Sequence, residues 1–149
     1  MAVNAKTKGQ RGEYAVRDIL QEISNQAADE IGVQPIIIQR NLEQTRSGGH
    51  DLLGTFGFAV EVKNYAEVSN HHLDKWWTQA VDQAKISNLN PLLVYKVSRS
   101  WRVQLMLKHV TAKGTSIKIR SDISLHAFKT IFKYECLEGY IKLKEVTTQ

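Results

Sequence analysis

Apolar residues recur at three- and four-residue spacings in two long stretches of this chain and alternate with polar ones in several shorter stretches. Helices and strands can therefore be placed from pattern alone. Over residues 12–27, Val16, Ile19, Leu20, Ile23 and Ala27 form the apolar stripe of an amphipathic helix. Gly32 ends that helical region, and Pro35 opens Ile36-Ile37-Ile38, a β-branched run that predicts a buried strand. A polar stretch leads through Ser47-Gly48-Gly49 to His50-Asp51-Leu52-Leu53-Gly54, a second short strand. After a turn at 54–57, the third strand, over 56–63, has a period of two. Phe58, Val60 and Val62 face one way; Ala59, Glu61 and Lys63 face the other.

A second helix, capped by Ser69 or Asn70, carries Leu73, Trp76, Trp77, Ala80, Val81 and Ala84 as its stripe. Pro91 restarts the chain as a strand over 92–97, and Ser98-Arg99-Ser100 turns it into another over 101–107. The remainder reads as a strand over 116–120, a helix over about 124–134 and a short final strand over 140–144. This order predicts an α/β fold with helices on both faces of a sheet. It fits a single domain spanning 1–149, with a core over about 8–107 and an α+β extension over about 108–149.

Composition narrows the class. With 42% hydrophobic and 23% charged residues in 149, the chain suits one globular domain rather than a disordered segment. Its uninterrupted apolar runs fall far short of the roughly 20 residues a membrane span needs, and its first ten residues hold no apolar signal segment. A soluble cytoplasmic protein is expected, in a host cytoplasm if the source is viral, with no membrane partner. The single cysteine, Cys136, excludes an internal disulfide and a multi-cysteine zinc cage. His71 and His72 are about 100° apart on a helix and do not share a metal. Twenty Lys and Arg against 15 Asp and Glu favour a polyanionic partner. Lys6, Lys8 and Arg11 lead into the first helix, and Lys96, Arg99 and Arg102 surround a strand turn.

The chemistry concentrates around the third strand. Glu61-Val62-Lys63 is the only acid-x-Lys triplet in the chain, and Glu61 and Lys63 leave the strand on one face, about 7 Å apart. Asp51 lies ten residues upstream, behind a glycine pair, on a strand able to pair with the third. Two carboxylates converging across adjacent strands offer the hard oxygen ligands that Mg²⁺ or Mn²⁺ prefers. A neighbouring lysine can orient a water and neutralise charge growing on phosphate oxygens. Metal-assisted phosphodiester hydrolysis is one reading; an ordinary cross-strand Glu–Lys pair is the other. Ser47-Gly48-Gly49 lacks the Lys-Ser/Thr ending of a phosphate-binding loop, and no helix-turn-helix is visible.

Three motifs in order, Lys8-Gly9-Gln10-Arg11-Gly12-Glu13, Ser47-Gly48-Gly49-His50-Asp51-Leu52-Leu53-Gly54 and Phe58-Ala59-Val60-Glu61-Val62-Lys63, resemble the PD-(D/E)xK nuclease superfamily. The resemblance is strongest to the Holliday junction resolvase-like endonucleases, archaeal and bacteriophage. Trp76-Trp77-Thr78-Gln79-Ala80-Val81-Asp82-Gln83-Ala84 and Ser100-Trp101-Arg102-Val103 are similar to the phage branch, so the likeness spans about residues 8–103. It implies a restriction-endonuclease-like core and a metal-dependent endonuclease of recombination and repair that leaves 5′-phosphates. By the same likeness Asp51 and Glu61 would ligate Mg²⁺ (or Mn²⁺ in its place), with the Val62 carbonyl a further ligand. Glu13 would join the metal or its water shell, Lys63 would be the catalytic lysine, and a glutamine, Gln79 or Gln83, would approach the scissile phosphate. The resolvases act as homodimers on four-way DNA. Lys6, Lys8, Arg11, Arg46, Arg99 and Arg102 would hold phosphates, and Trp101 is the aromatic candidate for DNA contact. His50 stands where the superfamily has its nominal proline. Related alternatives are a nuclease for flaps, ends or duplex DNA, and a non-catalytic DNA-binding module of the same fold.

Overall fold

The computed structural model describes residues 5–43 and 49–147. Helix α1 (Ala5–Ile31) begins a full two turns before the apolar stripe does. It closes at Gly32, whose φ of +82° is a left-handed conformation available to glycine at no steric cost, with its N–H on the Ala28 carbonyl at 2.8 Å. Strands β1 (Gln39–Arg40) and β2 (Leu52–Leu53) form a small antiparallel ladder. The main sheet holds β3 (Phe58–Lys63), β4 (Asn90–Val97), β5 (Ser100–Val110) and β6 (Ser116–Ser124) in that order. β3 and β4 are parallel, as a connection through helix α2 (Asn70–Ser87) permits; the other pairs are antiparallel hairpins. The sheet is therefore mixed, and helices flank both faces. Among the described residues, no helix is long and apolar enough to cross a membrane.

Alternation along β3 and β4 separates two cores on opposite faces of the sheet. Phe58, Val60 and Val62 join Val16, Leu20, Val94 and Val103 under α1, whereas Leu93 and Tyr95 of β4 meet Trp76 and Ala80 of α2 on the other face. Trp76 is buried, and Trp77 packs at the edge of the same cluster.

Two predicted elements differ. The segment over 140–144 is not a strand: one helix, α3, runs Leu125–Thr147. Phe128, Phe132, Cys136 and Tyr140 follow one another at four-residue spacing and all are buried against α1 and the sheet. Gly139 is required within it, because a Cβ there would lie 2.3 Å from the Phe56 ring. Phe56 itself is a turn residue at φ 56° rather than the start of β3. The triplet Ile36-Ile37-Ile38 is the second difference. Its backbone is held by side chains instead of a ladder: Gln21 bonds the Ile36 carbonyl and the Ile38 N–H, and the Tyr140 hydroxyl accepts from the Ile36 N–H at 2.8 Å. Ile38 is buried, Ile37 is exposed, and pairing starts only at Gln39.

Candidate active site

The C-terminal end of β3 and its neighbours bring Glu13, Asp51, Glu61, Val62 and Lys63 to one cleft of about 220 Å³, with Lys8, Asn64 and Tyr65 on its walls. Asp51 reaches it because the strand pairing that precedes β2 carries over to β3. Its N–H donates to the Val60 carbonyl at 2.8 Å, and its carboxylate accepts from the Val62 N–H at 2.7 Å. Glu61 and Lys63 arrive by the period of β3. Lys63 Nζ lies 3.3 Å from Glu61 Oε1 and donates to Gln79 Oε1 at 2.9 Å, while Gln79 Nε2 donates to Glu61 Oε1 at 3.0 Å. Of the two glutamines on α2, Gln79 joins the acids; Gln83 accepts instead from the Gly49 N–H. Glu13 is delivered by α1, which lies unusually near β3: a Cβ on Gly12 would meet the Asn64 Cβ at 2.8 Å. Asn64 fastens that approach by donating to the Lys8 carbonyl at 3.0 Å.

The electrostatics of this group are unbalanced. Burial and the charge of Glu61 push the Asp51 carboxyl up to about 8, against the pull of the Val62 N–H. Glu61 is also raised, by burial, although Lys63 opposes the shift. Glu61 Oε2 is buried with no hydrogen-bond partner among the described residues. An orphaned buried carboxylate oxygen is costly unless a cation or proton meets it. Glu13 is engaged by Arg40, whose Nε lies 2.6 Å from its carboxylate and whose guanidinium sits 5.2 Å from the Tyr14 ring centroid. Among the described residues, no three His, Cys, Asp or Glu side chains converge into a closed metal cage. The donor set still fits a hard divalent cation, since Mg²⁺ keeps several waters and takes only one or two carboxylates from a protein.

The remaining predicted residues are dispersed. Lys8 lines the cleft, and Lys6 and Arg11 are exposed on the first turns of α1. Arg99 is exposed in the β4–β5 turn, at φ 70°. Arg102 is committed to Asp122 at 2.6 Å, and Trp101 is half-buried against the main core with Lys96 Nζ 5.5 Å from its ring centroid. Arg46, Ser47 and Gly48 lie outside the described residues. His50 is buried beneath the cleft, its ring against Ser87 of α2, and burial lowers its pKa. Sequence reasoning passed over Arg40, Asn64 and Tyr65. The only signal for the last two is their position directly after Glu61-Val62-Lys63; nothing in the pattern singles out Arg40.

Two carboxylates, one with an unused oxygen, and a lysine–glutamine pair at the mouth of a mixed sheet match the motif order read from the sequence. A profile of the protein family described as "Phage putative PDDEXK endonuclease" matches residues 4–143. The chain belongs to this family. It is also similar to Protein D14 of Escherichia phage T5, 28% identical over 118 residues that cover 70% of this chain and 72% of that protein. No solved structure matches it significantly. Membership supports the PD-(D/E)xK superfamily and, with it, a nuclease whose substrate is DNA.

Proposed function

We propose that the protein is a Mg²⁺-dependent endonuclease that hydrolyses phosphodiester bonds in branched DNA, as a homodimeric Holliday junction resolvase leaving 5′-phosphates. The observation that carries the metal-dependent chemistry is the pair of buried, mutually opposed carboxylates, Asp51 and Glu61, beside Lys63. They would hold the ion, with the Val62 carbonyl as a further donor and Glu13 at its water shell. When bound, the ion acidifies a water and offsets charge on the phosphate. Lys63 orients that water and stabilises developing negative charge. Gln79 bonds both Lys63 and Glu61, which fixes the direction of the ammonium beside the carboxylate. Lys8 on the cleft wall, with Lys6, Arg11 and Arg99, holds phosphates without reading bases, which gives shape recognition and steep salt dependence. Junction preference and dimerisation rest on the likeness of the motifs to the resolvases.

The test is incubation of purified protein with a labelled four-way junction, a flap and matched duplex, with Mg²⁺, Mn²⁺ or chelator, beside Glu61→Ala. Paired nicks on the junction alone, absent with chelator and in the variant, are the expected result. Equal cutting of every substrate keeps the cleft chemistry and removes junction selectivity. Binding without cutting in all lanes replaces the enzyme with a DNA-binding module.

A further inference from the structure

Tyr65 stands two residues beyond Lys63, on the wall of the same cleft, and is 52% exposed. Its ring is nevertheless held in place. It stacks on Trp76 with centroids 5.1 Å apart and planes 25° from parallel, and His72 stacks on the same indole at 5.4 Å and 12°. His72 is in turn fixed by the capping box of α2: its N–H donates to Ser69 Oγ, and its Nδ1 accepts from the Ser69 N–H, each at 3.2 Å. Trp76 is only 7% exposed, so the stack is rooted in the core beneath α2. A rigid aromatic ring thus stands on the wall of the cleft that holds Lys8, Glu13, Asp51, Glu61 and Lys63.

We propose that Tyr65 is a stacking platform for one unstacked nucleobase beside the scissile phosphate, an assignment that rests on the nuclease reading above. Every nucleobase has a π-face, so such a platform accepts any sequence. It does require a base with a free face. Within continuous duplex both faces are occupied by neighbours; at a branch point, a nick, an end or a flipped nucleotide one is available. The reach is right: two residues of chain span at most about 7 Å, or two base steps at about 3.4 Å of rise. A base adjoining a phosphate held at Asp51, Glu61 and Lys63 falls within that span of Tyr65, and Lys8 lines the same cleft. The platform gives the cleft a local reason to favour distorted DNA, one that needs no base-specific hydrogen bond.

The experiment measures binding of the full chain, in chelator so that nothing is cut, to four-way junctions and matched duplexes carrying 2-aminopurine at the branch or the equivalent paired site. The wild type is expected to quench the branch-point probe, and Tyr65→Phe to do the same. Tyr65→Leu keeps Trp76 covered but offers no π-face. It should lose the quench and lower the junction-over-duplex affinity ratio about tenfold. An unchanged quench and ratio in Tyr65→Leu, in a protein that binds DNA and cuts it once Mg²⁺ is added, overturns the platform alone. A wild type that neither binds nor cuts any of the substrates overturns the nuclease reading and the platform with it.

Discussion

Two polar clusters occupy the same face of the central sheet and are built in opposite ways. Across the strands Glu61 lies opposite Leu93, Leu93 opposite Gln104, and Gln104 opposite Asp122, so two carboxylates stand at the ends of one row. Asp122 is fully engaged. It accepts from the Tyr95 hydroxyl, from Gln104 Nε2 at 2.9 Å and from Arg102 Nε at 2.6 Å. Burial alone would raise its carboxyl; the three donors outweigh burial and leave it below its ordinary range. Tyr95 is pushed up to about 12 by burial and by the same carboxylate. Gln104 Oε1 in turn receives two nitrogens of Arg120. At the other end of the row Glu61 has an oxygen with no partner, and Asp51 is driven up to about 8. One cluster is compensated within the chain; in the other, Lys63 and Arg40 face three carboxylates, Glu13, Asp51 and Glu61, and leave one carboxylate oxygen unbonded among the described residues. A closed network stabilises a fold, whereas an open one retains affinity for whatever completes it.

Asp51→Asn breaks the open cluster most directly. Single-turnover cleavage of a four-way junction should fall about 1,000-fold or more. The same change spares the folded chain the cost of holding Asp51 protonated near neutral pH, so in chelator the protein should gain about 1–3 kcal/mol of stability, a rise in melting temperature on the order of 5 °C. Loss of activity with a lower melting temperature would instead make Asp51 a structural acid like Asp122. Gln79→Ala leaves both charges but removes the bond that steadies Lys63 beside Glu61; cleavage should drop about 10- to 100-fold, and Lys63 would be shown to need no such support if the rate held.

Asp122→Ala reverses the sign. It strands Tyr95, Gln104 and Arg102, so thermal unfolding should show a loss of about 2 kcal/mol, with cleavage at saturating Mg²⁺ changed by less than about threefold. A large loss of activity at unchanged stability would abolish the contrast between the clusters. The last effect is in pH. Folded Asp51 keeps its proton to about pH 8, while in the unfolded chain it ionises near its ordinary value. Its contribution to stability is complete below about pH 4 and is lost as pH rises to about 8. In chelator, urea unfolding at pH 5 and pH 8 should therefore differ between wild type and Asp51→Asn, the wild type losing more on going up. Added Mg²⁺ should shrink that difference. The shift at Asp122 runs the other way, its contribution present above the carboxylate range and lost as pH falls through it.

The open cluster was legible in the sequence to the extent that strand periodicity determines it. Alternation in β3 put Glu61 and Lys63 on one face, and the glycine turn placed Asp51 beside it. What escaped was set by contacts distant in sequence. That Gln79 rather than Gln83 meets Lys63 depends on where α2 crosses the sheet, and Arg40 matters only because α1 brings Glu13 to it. The C-terminal helix was misread for a local reason. Ile141 and Leu143 alternate with Lys142 and Lys144 as a strand would, and Gly139 interrupts the helical pattern. The series Phe128, Phe132, Cys136, Tyr140 was the better signal, since a strand would put polar Thr130 and Glu138 on the same side, whereas a helix turns them away to solvent.

Tyr140 gives that helix a consequence in time. Its hydroxyl meets Ser24 Oγ at 2.6 Å across 116 residues of chain and also ties down the Ile36 N–H, so α1 and the segment leading into β1 are joined through a residue made long after them. A ribosome adding about 5–20 residues per second needs on the order of 10 s for the roughly 80 residues between Lys63 and Tyr140. During that interval every acid of the cleft exists, but the clasp that seats α1, and with it Glu13, does not. The nascent chain carries the parts of the cleft before it carries the means to hold them together.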